Sequence, residues 1–530
     1  MKLYKSDEIK KADNSYTKND FTSLVNLIMR AGETVCNFLP ENASDVLVVS
    51  GAGNNGADGL AAAYYLSKIG YDPTVWILTR SEKNNDVISY FTERLQRCGV
   101  VVNKLSPESD NGLILRILDD IKKSDVVIDG IFGTGFKGEL LPIYDTVINF
   151  INDFKKFTVS IDIASGVNGD TGAVFGSAVN ADVTVSFCNY KIGNIVMPGK
   201  KHCGKTVICD IGMDSYLFES AAEKRYSENL FFNCYSDCKI DKSIIKKHID
   251  SRDTFGHKGD FGKVLVIAGS EGMTGAAQLC AKSALKSGCG LVYLATPKKL
   301  LNIYEITLPE IVKIPLGQED SSYFTEEYCD ELLRFSKNMD TVVIGPGLGR
   351  KDETVSFVRN FISQCDNCNL VIDADALYAY INDIETLKNN LIDKDFVITP
   401  HDGEFSNLTG EASPYKDRLT LIRQLAYYLS GNVLLKGNST IIANNKSGFS
   451  INLTGNCGMA TAGSGDVLSG IIAGLSASAK LSMYEAAFCG AYIHGLSGDI
   501  AAEKLTEIGL NASDIIDFLP KAYKKVIENE

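Results

Sequence analysis

The sequence predicts an α/β protein built from two doubly wound domains, and three observations carry the prediction. Short apolar runs rich in β-branched residues alternate with helix-compatible stretches, the pattern of a parallel sheet covered on both faces. The series occurs twice, and between about Met213 and Asp250 it fades into polar sequence without period. A chain of 530 residues exceeds what one core organises, so the break reads as a junction between domains at about 1–220 and 240–530.

The first element is an amphipathic helix from Thr22 to Cys36, because Leu24, Leu27, Ile28, Ala31 and Val35 recur at helical spacing and form one apolar stripe. Strands follow at Val46–Ser50, Thr74–Leu78, Asp125–Asp129, Thr158–Ile163 and Val183–Phe187. The second series places strands at Lys263–Ser270, Leu291–Thr296, Thr341–Gly345, Leu370–Asp373, Phe396–Thr399 and Asn432–Lys436, and an apolar helix over Val467–Leu475.

The composition, 45% hydrophobic and 22% charged, is that of a globular protein. A formal charge of −13 argues against a nucleic-acid or anionic-membrane surface, so any phosphate site must be neutralised locally. The start, Met1 to Glu8, is charged and lacks the apolar core of a signal peptide, and no apolar run is long enough to span a bilayer; a cytoplasmic protein without membrane or nucleic-acid partners is expected. The 14 cysteines are scattered and read as reduced thiols. Neither close pair, Cys234/Cys238 or Cys365/Cys368, has a partner set at zinc-ligand spacing.

Ligands bind at the strand ends of open α/β sheets, so the residues after each run matter most. In the second half these are Gly269–Ala276, Gly345–Gly349, Asp373–Ala376, Pro400–Glu404 and Lys436–Thr440. The most informative stretch is Gly455–Gly470, where small residues precede Asp466. Glycines at 463 and 465 let backbone amides approach an anion, the following helix would aim its N-terminus at it, and Asp466 would stand where a hydroxyl proton has to go. That is the layout of a phosphoryl-transfer site; a Gly/Ser-rich surface turn with Asp466 as a helix cap fits the same residues. On residue type alone His401 reads as a packed loop histidine and Lys436 as a solvated strand-end lysine.

In the first half Val46–Ser50 runs into Gly51–Gly59 and a helix of small residues, Leu60–Leu66, the strand–glycine turn–helix arrangement of dinucleotide-binding folds. Asn54, Asn55 and Asp58 occupy this turn and add oxygens of the kind hard monovalent cations favour. Gly130–Glu139 and Ser160–Val167 supply two more turns on the same rim.

These segments resemble known families. Gly259–Lys263, Gly272–Ala276, Gly345–Gly349, Thr399–Glu404 and Gly455–Asp466, in order across about 240–525, resemble the NAD(P)HX dehydratases of the ribokinase-like fold. The resemblance implies phosphorylation of the C6 hydroxyl of hydrated NADH or NADPH (NADHX, NADPHX) by a nucleotide, ADP rather than ATP for a fused chain of this kind, followed by loss of phosphate to restore NAD(P)H. It implies Asp466 as the base, with Gly347, His401 and Asp466 contacting the hydrate. Lys436, Gly437, Asn438, Ser439 and Thr440, with Asn456, Gly458, Met459, Ala460, Thr461, Ala462, Gly463, Ser464 and Gly465, would bind the nucleotide, aided by Mg²⁺. Asp402 departs from the family pattern and would add negative charge near the substrate phosphates.

Residues 1–220 look like the NAD(P)HX epimerases, a Rossmann-like domain, and Ile28–Gly32 fits as well. By position, Asn55, Asp129 and Ser165 would bind K⁺. Asn54, Asn55, Gly56, Ala57 and Asp58, the turn Gly133, Thr134, Gly135, Phe136, Lys137, Gly138 and Glu139, and Asp162 would contact the hydrate, with Asp162 as acid/base. Two positions differ from the family: Ala57, expected to narrow the pyrophosphate approach, and Ala164, expected to loosen the turn that sets Ser165. A homo-oligomer is expected. The rival reading is a small-alcohol kinase fused to a non-catalytic Rossmann-like binding module.

Overall fold

In the computed structural model, which describes residues 2–80, 85–228, 238–249, 255–446 and 448–528, seven parallel strands form the N-terminal sheet. They are β1 (Val46–Ser50), β2 (Thr74–Leu78), β3 (Val102–Leu105), β4 (Val126–Gly130), β5 (Phe157–Ile161), β6 (Val183–Phe187) and β7 (Lys205–Cys209), in the order β3-β2-β1-β4-β5-β6-β7. β1 and β4 are buried along their whole length, which is why they read as unbroken apolar runs. From β1 the chain proceeds first toward one edge and then, through β4, toward the other, so the crevice of this sheet opens beyond the C-terminal ends of β1 and β4.

The edge strands β3 and β7 were not foreseen; Asn103, Lys104, Lys205 and Thr206 break the apolar pattern, and β7 is nowhere fully buried. The first predicted helix is Phe21–Cys36, capped by Asp20, whose carboxylate accepts from Ser23 N at 2.7 Å. It crosses the helix Asn54–Lys68 closely at Gly32, where a Cβ would lie 2.5 Å from Ala62 N. The stretch Met213–Asp250, expected to be irregular, carries two helices, Ser215–Glu228 and Lys242–Lys246. Phe218 and Ala222 of the first bury against Tyr4, Leu27 and Ala31, a pairing too sparse to show as a sequence period. Cys234 lies outside the described residues.

Ten strands make the second sheet: β8 (Cys238–Lys239), β9 (Lys263–Ile267), β10 (Leu291–Pro297), β11 (Val312–Leu316), β12 (Thr341–Ile344), β13 (Asn369–Ile372), β14 (Phe396–Ile398), β15 (Asn432–Leu435), β16 (Thr440–Ala443) and β17 (Phe449–Asn452). Their order is β11-β10-β9-β12-β13-β14-β15-β16-β17-β8. From β11 to β15 the sheet is parallel, as expected; β15, β16 and β17 then pair antiparallel. The sequence reading took Lys436–Thr440 as a binding turn only, whereas Gly437 and Ser439, with φ of 141° and 65°, reverse the chain there.

The helix Ser464–Ser478 is pinned against the helix Thr274–Lys286 at two glycines: a Cβ at Gly470 would lie 2.2 Å from Cys280 O, and one at Gly474 2.5 Å from Ala284 O. Val467, Leu468, Ile471, Ile472 and Leu475 bury into the core around them. The N-terminus of this helix is thereby fixed over the strand ends. The sheets belong to two compact units, Lys2–Asn233 with Lys416–Leu419, and Cys234–Tyr415 with Thr420–Glu530. Among the described residues no helix is long and apolar enough to cross a membrane.

Candidate active sites

In the C-terminal unit the strand-end turns touch one another. Gly269 N donates to Pro346 O at 2.9 Å, Ser270 Oγ to Gly347 O at 3.0 Å, and Lys436 N to Pro400 O at 2.9 Å. Gly347, with φ of 60°, is close-packed: a Cβ there would lie 2.8 Å from Met273 O. Lys436 is not solvated. Its Nζ lies 2.7 Å from Asp373 Oδ1 and would be 3.1 Å from a Cβ at Gly465, directly under the glycine turn. Ser469 Oγ donates to the other oxygen of Asp373 at 2.6 Å.

Asp466 lies in the first turn of Ser464–Ser478, after Gly463 at φ 90°. It accepts no hydrogen bond from the described residues. Burial, then the negative charge of Asp373, push its carboxyl up to about 7 against the opposing pull of Lys436, with smaller contributions from Asp375 and Glu404. Lys436 in turn resists the lowering effect of burial because Asp373 and Glu404 hold its ammonium above the usual range. Asp375 is braced by Arg350 Nε and Gly349 N, both at 2.9 Å.

His401 caps the helix Asp402–Thr409. Its Nδ1 accepts from Gly403 N at 3.0 Å and Glu404 N at 3.3 Å, while Glu404 Oε2 accepts from His401 N at 2.9 Å. With Nδ1 an acceptor, the neutral ring carries its proton on Nε2, on a side chain 61% exposed. The loop Asn456–Thr461 is braced elsewhere. Asn456 Nδ2 donates to Asp499 Oδ1 at 2.9 Å, and Gly458 packs so tightly that a Cβ would lie 2.4 Å from Glu507 O. Below the loop Ser464 Oγ lies 3.3 Å from His494 Nε2, and burial pushes that imidazole down to about 4.

The N-terminal site is a cavity of about 770 Å³ beyond β1, β4 and β5. Asn54, Asn55 and Asp58, the turn Gly133–Lys137, and Asp162 line it, as the sequence reading placed them. Gly56 and Ala57 do not: a Cβ at Gly56 would strike Gly51 O at 1.9 Å, and Ala57 is fully buried in the apolar core, so its methyl cannot narrow the approach. Helical rotation between Asn55 and Asp58 turns those two positions inward. Gly138 and Glu139 lie outside the lining. Ala164 is buried, and the Ser165 turn it precedes is held by hydrogen bonds to Asp129, not by the ring of a proline.

Asp129 is fully buried. It accepts from Ser160 Oγ at 2.7 Å, Ser165 N at 3.0 Å, Ile131 N at 3.2 Å and Ser165 Oγ, and burial holds its carboxyl above the usual range despite those bonds. No ion pair reaches it among the described residues. Asn55 packs on Gly133, and its Nδ2 is buried without a hydrogen-bond partner. The buried carboxylate of Asp129 without a cation, the Ser165 hydroxyl and the Asn55 amide oxygen are ligands of the kind a monovalent cation takes; the orphaned Nδ2 of Asn55 would need an acceptor of its own.

Asp162 adopts φ 67°, a left-handed conformation that aspartate tolerates, and its Oδ1 is ion-paired with the buried ammonium of Lys191. Lys191 also donates to Ser186 Oγ at 3.1 Å and Phe187 O at 3.0 Å. Sequence reasoning passed over Lys191, although it follows the end of β6 as closely as other site residues follow their strands. It passed over Asp13 as well, on the unforeseen helix Ser6–Thr17, whose short apolar stripe of Ile9, Ala12 and Tyr16 is a weak signal.

Two strand-end sites, one on a Rossmann-like sheet and one under the glycine-capped helix of a ribokinase-like sheet, define a two-domain α/β enzyme. Residues 25–193 match the family model described as YjeF-related protein N-terminus, and residues 264–521 that described as NAD(P)H-hydrate dehydratase. Over 537 residues the chain is 35% identical to the bifunctional NAD(P)H-hydrate repair enzyme Nnr of Thermofilum pendens, covering 100% of this chain and 97% of that protein. It is 37% identical to the protein of the same name from Moorella thermoacetica, covering 91% and 88%. Among solved structures, the ADP/ATP-dependent NAD(P)H-hydrate dehydratase of Bacillus subtilis co-crystallised with ATP/Mg²⁺ is 26% identical, covers 54% of this chain and 97% of its own, and has a TM-score of 0.46. The chain belongs to the family of bifunctional NAD(P)H-hydrate repair enzymes.

Proposed function

We propose that the C-terminal site phosphorylates the C6 hydroxyl of the S epimer of NADHX or NADPHX and lets phosphate leave, and that the N-terminal site interconverts the R and S epimers. The observation that carries the first half is Asp466, an unpartnered carboxyl with a proton affinity near neutrality, directly behind the amides of Ala462–Gly465. A general base works best when its pKa lies near the working pH. Ionised Asp466 takes the hydroxyl proton as the oxygen attacks the terminal phosphoryl group of the nucleotide; Lys436 and the helix N-terminus offset the charge that develops. Hydroxide leaves poorly, whereas phosphate leaves readily with push from the ring nitrogen. His401, whose ring is exposed, and Gly347 would contact the hydrate.

The nucleotide, in our reading ADP before ATP, would bind along Lys436–Thr440 and Asn456–Gly465. Mg²⁺ would be bound with the nucleotide and help to neutralise its phosphate charge. In the N-terminal site Asn55, Asp129 and Ser165 would hold K⁺, whose positive charge would offset Asp129 and favour the substrate phosphates. There Asp162, anchored by Lys191, serves as acid/base at C6.

The test is recovery of NADH absorbance from mixed R/S NADHX with Mg²⁺ and K⁺, comparing ADP, ATP and no nucleotide. Near-complete recovery with one nucleotide is expected. Recovery that stops at the S fraction contradicts the N-terminal assignment, and a stable phosphorylated alcohol contradicts the C-terminal one.

A further inference from the structure

The N-terminal cavity holds a carboxyl that the proposed reaction leaves without a task. Asp13 lines it beside Asp58 and Asp162, accepts no hydrogen bond and enters no ion pair among the described residues. Asp162 is paired with Lys191, Asp170 with Ser6 and Lys137, and Asp129 with Ser160 and Ser165, while Asp58 is one of the proposed contacts to the hydrate. The helix that carries Asp13 is held at its start and at mid-length. Ser6 donates from N and from Oγ to Asp170 Oδ1, each at 2.7 Å, and its Oγ also lies 2.7 Å from Thr134 O in the substrate turn. Farther along, Ala12 is fully buried in a cluster with Tyr4, Leu27, Ala31 and Phe218.

Inverting C6 makes demands on both faces of the ring. Loss of the hydroxyl leaves a planar iminium, and water must return to the face opposite the one it left. A single carboxylate cannot serve both faces of a ring held still. Two carboxyls from different elements, one on a strand-end turn and one on a covering helix, can.

We propose that Asp13 is the second acid–base catalyst of the epimerase site, serving the ring face opposite the one that Asp162 serves; this rests on the epimerase reading above. In one direction protonated Asp13 gives its proton to the C6 hydroxyl oxygen as the C6–O bond breaks and the ring-nitrogen lone pair forms the C6=N1 bond, releasing water. On the other face the Asp162 carboxylate takes a proton from a second water, whose oxygen bonds to C6 as the C=N pair returns to nitrogen. One water leaves, one adds, and one proton passes from Asp13 to Asp162; the reverse direction returns it, and exchange with solvent resets the pair.

The charged groups lining the cavity around Asp13 are Lys10 on its own helix, Asp58, Arg80, Lys137, Asp162 and Lys191. Burial, then Asp162, push Asp13 up to about 6 against Lys191, so it can give and regain a proton near neutral pH. Asp58, more deeply enclosed, is pushed well above the usual carboxylate range by burial and by the charges of Asp162 and Asp13.

The experiment uses the full chain, starting separately from R-NADHX and S-NADHX, with epimers resolved by chromatography and nucleotide-dependent dehydration of the S epimer as a control for folding. Asp13→Asn is expected to slow both directions by about a hundredfold with KM changed less than about threefold, and to remove the fall in rate as pH rises through about 6. Asp13→Glu should restore most of the rate. Epimerisation by Asp13→Asn within about threefold of wild type, or a raised KM at unchanged kcat, overturns the proposal. If Asp13→Asn also loses dehydration, Asp13→Glu decides: a displaced pH limb supports a catalytic Asp13, and an unmoved limb refutes it. A wild-type chain that interconverts neither epimer overturns the epimerase reading itself, an outcome distinct from a working epimerase that ignores Asp13.

Discussion

The two sites use one fold rule and opposite electrostatics. Both lie at the C-terminal ends of parallel strands, where a glycine turn meets a helix N-terminus. In the C-terminal site Asp466 accepts no hydrogen bond from the described residues, and burial, then the like charge of Asp373 with Asp375 and Glu404, raises its proton affinity toward neutrality against Lys436. In the N-terminal site Asp162 is locked to a buried lysine in a left-handed backbone conformation. A base that must seize a hydroxyl proton at the moment of attack gains from being held close to neutral; a carboxylate that must sit fixed against a ring gains from a permanent cation.

The sharpest way to break this comparison is to remove each carboxylate in turn. Asp466→Asn should lower dehydration by about a hundredfold to ten-thousandfold and leave epimerisation intact, and Asp162→Asn should do the reverse. Asparagine suits position 162 because it tolerates the positive φ of 67° that would strain alanine. Both activities are followed in one sample by chromatography of NADHX epimers and NADH absorbance. If either substitution removed both activities from a folded chain, the sites would not be independent.

A smaller effect should come from the lysine under the glycine turn. In the proposed mechanism dehydration uses ionised Asp466, so its rate should rise with pH through about 7. Lys436 pulls that value down; Lys436→Met should therefore move the rising limb to higher pH and cost roughly ten- to a hundredfold at neutrality. A loss of rate with the limb unmoved would mean that Lys436 binds nucleotide without tuning the base.

The residues that sequence reading located well are those at the ends of strongly apolar central strands, because a fully buried parallel strand leaves an unbroken hydrophobic signature whose end marks the site. Asp129, Asp162 and Lys436 were picked out in this way, whereas Asp466 was read from the small-residue run before an apolar helix. Lys191 was missed, because nothing in its local sequence shows that its ammonium turns back onto Asp162. Asp13 was hidden by a helix with only a few apolar positions, and β3 and β7 by their polar, edge character; β16 and β17 are buried but only four residues long, too short to stand out as strands. The inward turn of Ala57 follows from helical phase, which the glycine-turn reading had not applied.

The proposed cation site offers a third comparison, since the buried carboxylate of Asp129 is held by serines and backbone amides where that of Asp373 is paired with Lys436. Ser165→Ala removes a hydroxyl that donates to Asp129 and accepts from Phe132 N at 2.9 Å. The expected result is loss of K⁺ stimulation of epimerisation, with a rate about tenfold lower, together with a stability loss of about 1–3 kcal/mol from groups left unsatisfied. Dehydration should keep its own salt response, checked by titrating K⁺ against Na⁺ for both activities.

The smallest effect is expected at Asp402. Placed beside His401, its charge was expected to weaken binding of the substrate phosphates. In the structure Asp402 opens the helix Asp402–Thr409, where the partial positive charge of the N-terminus offsets a carboxylate, and its backbone carbonyl accepts from Tyr415 Oη at 2.6 Å. The helix dipole therefore absorbs part of the charge that would otherwise oppose phosphate. Asp402→Ala should lower stability by about 0.3–1 kcal/mol and lower KM for NADHX by no more than about threefold, the two effects having one cause. A tenfold fall in KM would show that the carboxylate faces the substrate phosphates directly, beyond the reach of the helix dipole and of Lys436.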